Sequence, residues 1–149
     1  MSQPEFLVIV RYGEPDPEGF VSREGVRCLQ ALSREIAAQC VDPVQVFFLD
    51  IDSKPYIRRS ARVLAADFLK DPDLVTPLSL AEGGEATNVK ELLELLHAEN
   101  PTIVVVVDSA MSGSLAELCT KGWPDDCVHI LDSGHAHVLN LREKTHFSL

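Results

Sequence analysis

Three short stretches of this chain carry side chains suited to holding an anion. Arg11-Tyr12-Gly13-Glu14 follows directly on five apolar residues, Phe6 to Val10. Ser53-x-Pro55-x-x-Arg58 follows a second apolar run, and Asp108-Ser109 closes a third. Guanidinium groups offer paired donors to phosphate or sulfate, and the Tyr12 and Ser109 hydroxyls can each add one more. An arginine that ends a buried strand can instead pair with Glu14 or Asp108, and Arg58 with Arg59 and Arg62 can form a solvated helix face. The Ser53-x-Pro55-x-x-Arg58 spacing favours the anion reading, because it sets Arg58 in the first turn of a helix with its guanidinium directed back at the first strand.

Other residues offer other chemistry. Asp50-x-Asp52 after an apolar strand imitates a magnesium-dependent phosphatase with an aspartate nucleophile, but Lys54 stands where Thr or Val is usual. Ser109 lacks the flanking glycines of a nucleophile elbow. His135 and His137 have the spacing of metal ligands on a strand, yet no third ligand accompanies them, so they read as an exposed edge pair. Cys28, Cys40, Cys119 and Cys127 have no C-x-x-C spacing and read as reduced, structural thiols. No cofactor and no metal is called for.

The elements that must position these groups follow from periodicity. Phe6–Val10 is a strand buried on both faces of a parallel sheet, and Gly13–Gly19 is loop. Ser22 caps a helix running to about Cys40. Val44–Leu49 is the second strand, followed by a helix over Ile57–Leu69 with Ile57, Ala61, Leu64 and Phe68 inward. Thr87 caps a helix bearing Val89, Leu92, Leu93 and Leu96, which Pro101 keeps from extending further. Thr102–Val107 is the central strand and Ser112–Thr120 a short helix. Cys127–Leu131 and Ala136–Leu141 pair through an Asp132-Ser133-Gly134-His135 turn. This order predicts a three-layer α/β sandwich, mostly parallel with an antiparallel edge strand. Ligand sites in such sheets lie past the carboxyl ends of the strands.

The 149 residues suit a single domain, 46% hydrophobic and 24% charged, with a substantial core. A net charge of −10 opposes nucleic-acid and anionic-membrane surfaces. Eight of the thirteen basic residues nevertheless fall in the first 62, which permits a local anion site. The first residues lack a basic signal region, and the apolar run behind them is too short for a bilayer, so the expected location is the cytoplasm.

Taken together, Arg11-Tyr12-Gly13-Glu14, Ser22-Arg23-Glu24-Gly25, Ser53-x-Pro55-x-x-Arg58 and Asp108-Ser109 resemble the histidine phosphatase superfamily, the phosphoglycerate-mutase-like proteins. The likeness is to their short single-domain, phosphohistidine-phosphatase-like branch. That resemblance implies phosphate-binding roles for Arg11 and Arg58, places Tyr12 at the nucleophile's position and Ser109 at the second histidine's, and marks Glu82 as a candidate acid. Both family histidines are absent. A phenol with a pKa of about 10 is a poor substitute nucleophile at neutral pH, so Tyr12 reads as a plug. The expectation is a protein that is not an enzyme, with no catalytic residue intact and an anion pocket formed by Arg11, Arg58, Ser109 and Tyr12. Its partners would be a phosphate-bearing ligand or a protein, with a homodimer allowed. The alternative is an altered phosphatase working through water or Tyr12.

Overall fold

The structure, a computed structural model, describes residues 4–71, 74–78, 87–125 and 131–149. One six-stranded sheet runs in the order β3-β2-β4-β1-β5-β6. Its strands are β1 (Phe6–Arg11), β2 (Val44–Leu49), β3 (Thr76–Leu78), β4 (Thr102–Val107), β5 (Ala136–Asn140) and β6 (Thr145–Ser148). Four helices lie among the described residues: α1 (Arg23–Gln39), α2 (Pro55–Ala65), α3 (Val89–Leu95) and α4 (Ser109–Cys119). The three-layer α/β expectation holds. The right-handed rule for the parallel units β1–α1–β2 and β2–α2–β3 puts α1 and α2 on one face of the sheet, where they pack against each other.

β4 sits between β2 and β1, parallel to both. That position buries every one of its six residues, which is why Thr102-Ile-Val-Val-Val-Val shows no polar alternation. α1 is capped as expected: the Ser22 side chain accepts from the Gly25 amide at 3.0 Å.

Several boundaries differ from expectation for local reasons. α2 begins at Pro55, whose missing N–H costs nothing at the first helical position, and ends at Ala65. Beyond it the chain tightens into Asp67 N to Leu64 O and Phe68 N to Ala65 O bonds, leaving Phe68 only half-buried. Asn88, not Thr87, caps α3 by accepting from the Glu91 amide. Thr87 instead donates from its amide and hydroxyl to the Glu91 carboxylate, completing a reciprocal cap. α4 starts three residues early because Asp108 accepts from the Met111 amide at 2.9 Å.

β3 was not anticipated, since three residues with a central proline carry almost no strand signal; at a sheet edge Pro77 is tolerated. The expected hairpin also moves. β5 pairs antiparallel with β1 on one side and β6 on the other, and the reversal lies at Leu141–Lys144. There the Asn140 side chain accepts from the Arg142 and Glu143 amides and Lys144 takes a φ of 56°. β6 is almost wholly exposed, so it lacks the apolar alternation that reveals strands. Of the expected strand over Cys127–Leu131, only Leu131 is described, and it lies outside any strand.

The supposed exposed histidine pair is split. His135 is exposed and precedes β5, with Nδ1 3.2 Å from the Leu149 carbonyl. His137 is 2% exposed in mid-sheet, with Nδ1 3.3 Å from the Ser148 hydroxyl. Cys28, Cys40 and Cys119 are free thiols. Burial pushes Cys119 up to about 12, and burial followed by Glu5 pushes Cys40 up to about 11, so neither is a ready nucleophile. Among the described residues no helix is long and apolar enough to cross a membrane.

Candidate functional site

Strand register brings the three sequence stretches to one edge. Arg11 pairs with Val107 across β1 and β4, and Phe48 with Val106 across β2 and β4. The carboxyl ends of the three strands are therefore level, and Tyr12, Lys54, Tyr56, Asp108 and Ser109 emerge beside one another. The β1 end is tied from several directions. The Tyr12 amide donates to Val107 O at 3.2 Å, the Arg11 amide to His135 O at 3.1 Å, and Gly134 N to both the Arg11 and Tyr12 carbonyls. The buried Ser60 hydroxyl accepts from the Gly13 amide at 2.9 Å and donates to the Tyr56 carbonyl at 2.7 Å, fixing the loop after β1 to α2.

The Tyr12 and Tyr56 rings meet with centroids 4.6 Å apart, tilted by 56°. Lys54 Nζ lies 3.3 Å from Asp108 Oδ2, while the other oxygen of that carboxylate caps α4. Ser109, half-buried, begins α4, and its carbonyl accepts from the Ser112 hydroxyl. Burial, the adjacent Tyr12 and Asp108 raise the Tyr56 phenol above its ordinary value, against a lowering by Lys54. Tyr56 is thus a neutral hydrogen-bond donor at physiological pH. The chain has only two tyrosines, so this can be read directly. In Tyr12→Phe the single remaining phenol should titrate, by ultraviolet absorbance, at lower pH than the Tyr56 phenol of the parent; an unchanged midpoint would remove the coupling.

The two candidate arginines part company. Arg11 Nη1 donates to the Leu131 carbonyl at 2.7 Å, on the β5 side of β1, and its Nε is buried without a partner; its guanidinium carbon lies 5.4 Å from the Tyr12 ring centre. Arg58 stands at the β2 end, 6.0 Å from the centre of the Phe48 ring. It lines a depression of about 340 Å³ together with Asp50, Asp52, Lys54, Arg59 and Arg62. Glu82 lies outside the described residues. Sequence reasoning missed Lys54, Tyr56 and Asp108 as site residues, although the flanks of Pro55 and the last residue before α4 pointed to the first and last of them. Asp50 and Asp52 share their depression with four cationic side chains, which would repel a magnesium ion. No cluster of three metal-ligating side chains occurs among the described residues.

No family model matches the sequence, and no curated protein does. Solved structures match over nearly the full chain. The protein histidine phosphatase SixA complexed with tungstate superposes with a TM-score of 0.66 at 14% identity, covering 97% of this chain and 94% of that one. A candidate phosphohistidine phosphatase SixA from Agrobacterium tumefaciens gives 0.60 at 11% identity, covering 93% and 90%. A candidate alpha-ribazole-5'-P phosphatase from Escherichia coli K-12 gives 0.58 at 13% identity, covering 99% and 95%.

The fold is therefore the phosphoglycerate-mutase-like fold of the histidine phosphatases, in the form of their short single-domain branch. This corrects one expectation. All three structures are of phosphatases or candidate phosphatases, and nothing among the described residues marks this chain as inactive, so the expectation that it is not an enzyme does not stand.

Proposed function

We propose that this protein binds phosphate monoesters at the shared carboxyl edge of β1, β2 and β4 and hydrolyses them by direct attack of water, without a phosphohistidine. The level register of the three strand ends supports this reading most strongly. It brings Lys54 and the hydroxyls of Tyr12, Tyr56 and Ser109 together at the edge where α/β sheets bind ligands, with Arg11 on its β5 side and Arg58 at its β2 end.

Arginine and lysine at the rim attract the dianion, and the neutral hydroxyls donate to its oxygens. The water oxygen forms the new bond to phosphorus as the bond to the ester oxygen breaks. Asp108 takes the water's proton and Tyr56 supplies one to the leaving oxygen. Free thiols fit a reducing compartment, the cytosol.

Two measurements test the reading. Inorganic phosphate should raise the melting temperature by linkage, about 2.7 kcal/mol at a hundredfold excess over Kd, and an Arg11→Ala, Arg58→Ala variant should lose that rise. p-Nitrophenyl phosphate should be hydrolysed with no covalent phosphate retained. Absence of both the thermal shift and hydrolysis would overturn the proposal, and an acid-stable label on Tyr12 would overturn the water route.

A further inference from the structure

In the route proposed above Asp108 must receive a proton from water, yet both oxygens of its carboxylate are engaged. One accepts from the Met111 amide at 2.9 Å and caps α4. The other accepts from Lys54 Nζ at 3.3 Å, at a position where a water could otherwise donate. The two contacts differ in kind. The cap is local, reaching three residues along the chain, and α4 itself holds it. The Lys54 contact joins the segment after β2 to the end of β4 and is long for a charge-assisted hydrogen bond, ordinarily about 2.7–2.9 Å. The side chain of Lys54 is 36% exposed against 13% for Asp108, and it carries a compact charge on a flexible stem. Lys54 is therefore the partner able to move. A phosphate dianion at the strand-end edge offers its ammonium two negative charges, where the carboxylate offers one and already shares it with the Met111 amide.

We propose that Lys54 changes partner when the ligand arrives: it covers the Asp108 carboxylate beforehand, and the phosphate draws the ammonium off and uncovers the oxygen that takes the water's proton. The inference rests on the phosphate-monoester reading given above and adds a control to that same site, since the base is exposed only with substrate in place. The change is an exchange of ion-pair partners in which no covalent bond is made or broken. Asp108 keeps its place throughout, anchored by its other oxygen to the first turn of α4.

Kinetics with p-nitrophenyl phosphate on the parent, Lys54→Met and Lys54→Arg, beside a crystal structure with inorganic phosphate, test the exchange. Methionine leaves Asp108 uncovered from the start and costs one contact to the ligand, so KM should rise severalfold. Arginine keeps the charge but can grip the carboxylate with two parallel donors and is harder to draw off. Its kcat should therefore fall at least about tenfold below that of Lys54→Met. A role in charge alone predicts the reverse order. With phosphate bound, Lys54 Nζ should lie within about 3 Å of a phosphate oxygen and beyond about 4 Å from Asp108. A cooperative melt will show that both variants are folded. Phosphate bound with Lys54 still on Asp108, or turnover by Lys54→Arg at least as fast as by Lys54→Met, overturns the exchange while leaving the monoester reading in place. Lys54 moved onto bound phosphate in a protein that hydrolyses nothing keeps the exchange and overturns the hydrolytic reading. Absence of phosphate from the strand-end edge overturns both.

Discussion

Leu29→Ala should lower the stability of this protein by about 2–5 kcal/mol, the range for emptying a fully buried leucine site. Leu29 is 0% exposed on the inner face of α1, and its Cδ1 reaches within 2.9 Å of where a Cβ on Gly13 would stand. The leucine therefore packs under the loop that leaves β1. Gly13→Ala alone should also destabilise, by about 1–3 kcal/mol from overpacking, because its new methyl meets Leu29 Cδ1 and Val21 Cγ1, each at 2.9 Å. In the double variant the alanine methyl has part of the vacated leucine volume to occupy. Denaturant unfolding should then show a combined cost smaller than the sum of the single ones by more than about 0.5 kcal/mol; simple additivity would show that the two positions do not share space.

Gly25→Ala should destabilise as well, with no partner able to relieve it. On an exposed helix the exchange stabilises by up to about 1 kcal/mol. Here the added Cβ would lie 2.9 Å from the Glu14 carbonyl oxygen and 3.0 Å from the Glu14 nitrogen, and backbone cannot swing aside as a side-chain tip can. The first turn of α1 must move off the loop after β1, straining the 2.8 Å bond from Ser22 N to Glu14 O. A net loss of about 1–3 kcal/mol is expected, or roughly 2–4 °C of Tm for each kcal/mol in a chain of this size. Phosphate affinity should fall alongside, because the same loop carries Tyr12. A denaturation midpoint at or above the parent's would contradict the close approach.

These two glycines also mark what was legible in the sequence. Strong periodic signals gave β1, β2, β4 and the start of α1 nearly to the residue, since burial on both faces of β4 or a serine cap at Ser22 leaves a local trace. β3 and β6 left none: one is three residues around Pro77, and the other is exposed. The resemblance carried by Arg11-Tyr12-Gly13-Glu14 and Asp108-Ser109 led to the right fold, and the structure places both stretches at one edge of the sheet. It missed the division between Arg11, turned to the Leu131 carbonyl, and Arg58, over the Phe48 ring, because guanidinium direction depends on tertiary neighbours. It missed Tyr56 for the same reason, as that side chain gains its role only against Tyr12.

The placement of β1 has a consequence for how the chain comes to be folded. Its neighbours are synthesised long after it: the strand that ends in Arg11 meets its first partner only at Thr102 and its second only at Ala136. Such non-local pairing slows folding, because loop closure is costly until the contacts form. Until then five consecutive apolar residues, Phe6–Val10, stay uncovered, a segment of the kind that chaperones and aggregation compete for. The candidate edge is thus among the last parts of the molecule to form, and variants that weaken β5 should first lower the yield of folded protein.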